Sequence, residues 1–205
     1  DGRQKQISRF SGDFSPKSLE FSPDGKSLLV LVGTSVWLLS EQEPPVQLSL
    51  DGQNSRDPSW SHDSKTIYFS ASEQGRWKII AMDRDSLTQK TFAVDMDFFR
   101  ESLDGDYQVW RNTEDKQLRI KFRGQSDTAI LPLPAQGEFV SPSLELRKSA
   151  IYFLNSTESK QYEICSYDLV SKTINRTGII HPKLARRFSV STDEMYILQD
   201  DGKTG

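Results

Sequence analysis

Cysteine is almost absent. Cys165 is the only one in 205 residues, which rules out an internal disulfide and the usual four-ligand zinc sites built on several cysteines. A lone thiol of this kind reads as a small core residue. Long apolar runs are missing too, and no stretch approaches the roughly 18 apolar residues that a spanning helix requires. The chain opens on Asp1 rather than Met. No basic segment followed by an apolar one comes after it, so the sequence reads as a mature chain or an excised piece, with any signal or anchor outside it. Nor is there a basic excess. The 26 Lys and Arg are outnumbered by 29 Asp and Glu, for a formal charge of −3, which argues against a general binder of nucleic-acid phosphates.

The sequence also lacks catalytic and metal signatures. A Gly-x-Ser-x-Gly nucleophile elbow occurs nowhere, and there is no G-x-x-x-x-G-K phosphate loop. His62 and His181 have no second His or Cys at ligand spacing, so both read as surface histidines. Asp51, Asn54 and Asp57 invite a calcium reading, but they lack the alternating spacing and terminal Glu of a calcium loop and read as a polar turn. No enzyme activity, cofactor or metal is expected.

What the chain does contain is a repeat. PSWSHDSKTIYF (58–69) is echoed by PSLELRKSAIYF (142–153), 84 residues later, and related segments lie around Asp24, Asp104 and Asp193. Taking Asp24, Asp63, Asp104, Arg147 and Asp193 as equivalent anchors gives steps of 39, 41, 43 and 46 residues. Each anchor sits between two short apolar runs, and Asp24-Gly25 and Asp104-Gly105 supply the positive φ of a hairpin turn. Leu28 and Val30, Ile67 and Phe69, and Ile151 and Phe153 follow their anchors by four and six residues. They therefore share one strand face. Third strands are expected at Trp77–Asp83 and Tyr162–Asp168, and fourth strands at Gln89–Val94, Asp127–Leu133 and Lys172–Thr177. Four strands in forty-odd residues make one propeller blade, whereas a β-sandwich has no reason to repeat particular residues at that period.

The segments FSPDGKSLLV and WSHDSKTIYFSASEQGRWKIIAMDRDS resemble the repeat of the TolB-like propeller family, in which an aromatic residue and Ser-Pro-Asp-Gly-Lys precede an apolar strand. The likeness covers most of the chain. It is weakest at Asp104, where Glu101 replaces the apolar residue before the turn. The resemblance implies an all-β chain, a β-propeller of about five four-stranded blades or part of a larger ring, with residues 1–205 a single run of repeats from a longer protein. One closing arrangement pairs Arg3–Phe10, as an outer strand, with the unit at Asp193; the other continues past Gly205.

In a propeller the connections entering the innermost strands lie at one channel mouth. Lys17, Arg56 and Arg186 each precede an anchor by seven residues, and Arg100 and Arg187 fall close to that register. These cations are expected to attract an anionic ligand or an acidic peptide. Phe98 and Phe99, with Phe14 and Phe139, lie in the same class of segments as apolar anchors; the bland reading is that the cations pair with neighbouring acids and the rings plug between blades. The resemblance implies a periplasmic or extracytoplasmic binding or sensory domain, from a membrane-anchored transcriptional regulator or a Tol-type protein. Its partner would be a protein, a peptide or a small anion, with no nucleic acid bound and no membrane segment inside the chain. The alternative is the substrate-gating propeller of a prolyl-oligopeptidase-like serine peptidase.

Overall fold

A computed structural model describes residues 16–132, 144–156, 162–181, 188–191, 193 and 197–199. Every regular element among them is a strand. The first sheet holds β1 (Pro16–Phe21), β2 (Ser27–Val32), β3 (Ser35–Ser40) and β4 (Val46–Gln47), and the second β5 (Asn54–Trp60), β6 (Thr66–Glu73), β7 (Arg76–Asp83) and β8 (Gln89–Val94). The third holds β9 (Met96–Glu101), β10 (Tyr107–Asn112), β11 (Leu118–Phe122) and β12 (Ala129–Ile130). The fourth is β13 (Leu144–Leu146), β14 (Ala150–Ser156), β15 (Tyr162–Asp168) and β16 (Ile174–His181). Each has its strands in sequential order, which is the blade of a β-propeller. About five four-stranded blades were expected. Among the described residues four are found, and the repeat at Asp193 contributes a two-stranded sheet of β17 (Phe188–Val190) and β18 (Ile197–Gln199).

The anchors are the β-turns between the first two strands of a blade. Gly25 and Gly105 take φ of 69° and 72° there, a conformation that a side chain would resist. A serine two residues before each aspartate anchor fastens the turn. Ser22, Ser61, Ser102 and Ser191 donate through Oγ to Asp24, Asp63, Asp104 and Asp193 at 2.6 to 2.7 Å. Where the anchor is Arg147, Glu145 stands in the serine's place, and the pair forms an ion pair at 2.7 Å.

The chain falls into two compact units, residues 1–101 with 105–129, and residues 102–104 with 130–205. Within the first unit, period-two alternation sends one side of each strand to the preceding blade and the other to the next. Ile67 and Phe69 of β6 pack back against Leu29, Leu31, Val36 and Leu38 of the first blade. Tyr68, between them, packs forward with Ile79 and Ala81 against Phe99 and Trp110. Burying a ring such as Phe69 contributes about 2 to 3 kcal/mol, so the first three blades share core with one another. In the second unit Leu154 and Ile164 pack with Phe188 and Val190, and Arg147 Nε donates to the Val190 carbonyl at 2.9 Å.

Candidate functional site

Within the first unit β5 packs against both β1 and β9, so the leading ends of three first strands are neighbours in the fold. Lys17 lies in β1, Arg56 in β5 and Asp97 in β9, all seven residues before their anchors. These positions are inside strands, where the sequence pointed to connections. An acid occupies the third.

Pro58 shapes the middle strand. It has no N–H for the ladder and disfavours helical backbone in the residue before it. The β5–β6 register accordingly jumps from Arg56↔Ser70 to Ser59↔Tyr68, and Asp57 takes φ of 50°. A bulge with a buried non-glycine residue in the left-handed region costs on the order of 1 kcal/mol or more and recurs near functional sites. It frees the Asp57 carbonyl, which accepts from Arg100 Nη1 at 3.1 Å. The Asp57 carboxylate lies 3.6 Å from Arg56 Nε.

Asp97 is the centre of the cluster. Its side chain is only 5% accessible, and a buried carboxylate needs charge partners. Arg111 supplies a two-pronged contact, Nε to Oδ1 at 2.7 Å and Nη2 to Oδ2 at 2.9 Å, and Arg56 Nη2 adds a third bond at 2.7 Å. The Arg56 guanidinium also lies 3.7 Å above the Trp77 ring, a cation–π geometry, while 35% of its side chain stays accessible. Further along the strands, Arg100 approaches Glu20 at 3.8 Å and the Phe98 ring at 5.2 Å. Burial pushes the half-buried Glu20 carboxyl up, opposed by the Arg100 charge and the Trp60 N–H.

The expected site residues thus divide. Lys17 is exposed and has no hydrogen-bond or ionic partner among the described residues. Arg56 and Arg100 are engaged by acids and carbonyls. Phe98 and Phe99 are buried, so these rings are packing residues and not contact anchors; Phe99 meets the Tyr68 ring in a tilted contact at 4.5 Å between the second and third blades. Arg186, Arg187, Phe14 and Phe139 lie outside the described residues. Sequence reasoning missed Asp97 and Arg111. The signal for Asp97 was present, since it shares the seven-residue offset of Lys17 and Arg56; Arg111 carries no repeat signal and depends on strand pairing. The Asp51, Asn54 and Asp57 cluster is spread among other bonds, with Asp51 accepting from Gln47. Among the described residues no group of three or more His, Cys, Asp or Glu is placed to hold a metal ion, and no helix is long and apolar enough to cross a membrane.

Chemically, the arrangement presents an exposed ammonium at Lys17, without a partner among the described residues, and a part-exposed guanidinium held over an indole. Both are suited to a carboxylate or carbonyl group.

No family model matches this sequence, and no curated protein matches it. Solved structures do resemble it. TolB from Acinetobacter baumannii aligns with a TM-score of 0.62 and 13% identity, over 88% of this chain and 45% of that one. The chain therefore spans about half the length of that protein. Putative TolB from Agrobacterium tumefaciens also gives 0.62, at 12% identity, over 92% of this chain and 91% of that one. A puromycin-hydrolyzing peptidase from Mycobacterium tuberculosis gives 0.60 at 14% identity, over 80% of this chain but 29% of that one. Blade order, turn chemistry and these likenesses agree that the chain has the fold of a TolB-like β-propeller.

Proposed function

We propose that this chain is a non-enzymatic recognition propeller working outside the cytoplasm, as the sensory or partner-binding part of a membrane-anchored regulator or as a Tol-type periplasmic protein. The observation that carries this reading is the leading end of the first strands, where Asp97 holds Arg56 over Trp77 and where Lys17, at the same register in β1, is exposed with no partner among the described residues. A pre-positioned guanidinium loses little freedom on meeting a partner, and the neighbouring Asp57 holds a positive φ that costs stability and is typical of strained functional segments. An acidic or C-terminal peptide segment is the partner class that fits these donors.

The second reading is a substrate-gating propeller attached to a serine peptidase, favoured by the likeness to one stretch of the mycobacterial peptidase. A hydrolase domain in the full-length gene would select it. For the first reading, the immobilised chain is challenged with periplasmic extract at low and high salt, alongside Lys17→Glu. A discrete protein retained at low salt, released by salt and lost with Lys17→Glu is the expected result. Retention that ignores both salt and the substitution would contradict the reading.

A further inference from the structure

A second polar site lies at the opposite end of β9. The register of the third blade places Glu101 opposite Gln108 in β10, and Gln108 opposite Lys121 in β11. Neighbouring strands are about 4.8 Å apart and paired residues share a face. A carboxylate, an amide and an ammonium therefore stand in a row across three strands. This row lines a cleft of about 270 Å³ that Tyr107, Arg123 and the backbone of Gly105 also border.

The members of the row differ in commitment. Glu101 is 8% accessible and accepts the His62 N–H at 3.1 Å, with His62 Nδ1 at 3.4 Å. Gln108 Nε2 reaches it only at 3.4 Å, the long limit of a hydrogen bond and easily exchanged. Lys121 is exposed and has no partner among the described residues. Arg123 meets His62 Nε2 at 3.4 Å. The ring thus lies between Arg123, on its Nε2 side, and Glu101, on its Nδ1 side. His62 backs the Glu101 and Gly105 edge of the cleft, and the absence of a side chain at Gly105 lets the ring sit there. A Cβ there would lie 2.6 Å from the ring.

We propose that this cleft binds a small dipolar ligand with a cationic and an anionic end joined by an amide-sized bridge, a short peptide with free termini being the class that fits. The ligand's ammonium meets Glu101, its peptide group pairs with the Gln108 amide, which offers both a donor and an acceptor, and its carboxylate meets Lys121. The volume admits a dipeptide of small residues and no large fold partner. This site shares no residue with the Lys17 and Arg56 cluster, so the two readings stand or fall separately.

The test is an amide-shift titration of the chain by NMR with Ala-Ala, and with N-acetyl-Ala-Ala-amide, which has the same length and no charge. The expected result is saturable movement of the Gln108 side-chain amide with free Ala-Ala, and a response about tenfold weaker or absent with the blocked form, as loss of charge-assisted bonds implies. Lys121→Glu, an exposed change, should weaken Ala-Ala binding by at least about tenfold while leaving the amide spectrum folded. Glu101→Gln serves as a second variant, with thermal melting as its folding control. No saturable shift at millimolar Ala-Ala, equal shifts with the blocked peptide, or unchanged binding in Lys121→Glu would each overturn the proposal.

Discussion

Single residues decide how each blade is held. Asp97 is buried between Arg56 and Arg111, and removing one partner of a buried ion cluster leaves the others uncompensated. Asp97→Ala is expected to lower unfolding free energy by about 3 kcal/mol, read from denaturant melts; a loss below about 1 kcal/mol would mean that water solvates the arginines. Gly105 works by absence. Its positive φ and the 2.6 Å approach of His62 predict that Gly105→Ala costs about 2 kcal/mol or more, part of which His62→Ala recovers in the double variant. Cys165 is buried, and that burial, with the Glu163 charge, pushes its thiol up to about 11. At pH 8 it stays protonated, so thiol reagents should label it only after denaturation; rapid labelling of the folded chain would show the second unit to be open there.

At the scale of elements, the serine-fastened turn is the recurring device. The Ser22 hydroxyl, then the Arg84 guanidinium and the Lys26 N–H, holds the Asp24 carboxyl well below the usual range. Asp63 is lowered chiefly by Ser61. A depressed carboxyl contributes stability above its unfolded pKa of about 4 and loses it as pH falls toward the folded value. Tm should therefore drop between pH 5 and pH 2, and Asp24→Asn should flatten that drop; an unchanged profile would mean that these turns add nothing. The apolar runs and the Asp-Gly turns made the strands readable, and β8 falls where the fourth-strand pattern put it, Gln89–Val94. The Asp57 bulge was not readable, because Pro58 announces a disturbance without giving its register. For Phe98 and Phe99 the sequence left contact and packing between blades both open, since a ring near a strand's leading end serves as either depending on whether the next blade covers it; both are buried.

For the whole molecule, the repeat period carried the fold and said little about the site. A period reports what every blade shares, whereas the candidate site arises where blades differ: lysine, arginine and aspartate at one register in successive first strands. At that register Asp97 takes up Arg56, while Lys17 has no partner among the described residues. The most direct test of recognition at these leading ends places a photo-crosslinking amino acid at position 17 and, as control, at Val170, which is 88% accessible in the second unit. After irradiation in periplasmic extract, the account predicts a discrete cross-linked band from position 17 that fades as salt is raised, with none from position 170. Equal bands from both positions, or a band from 170 alone, would contradict it.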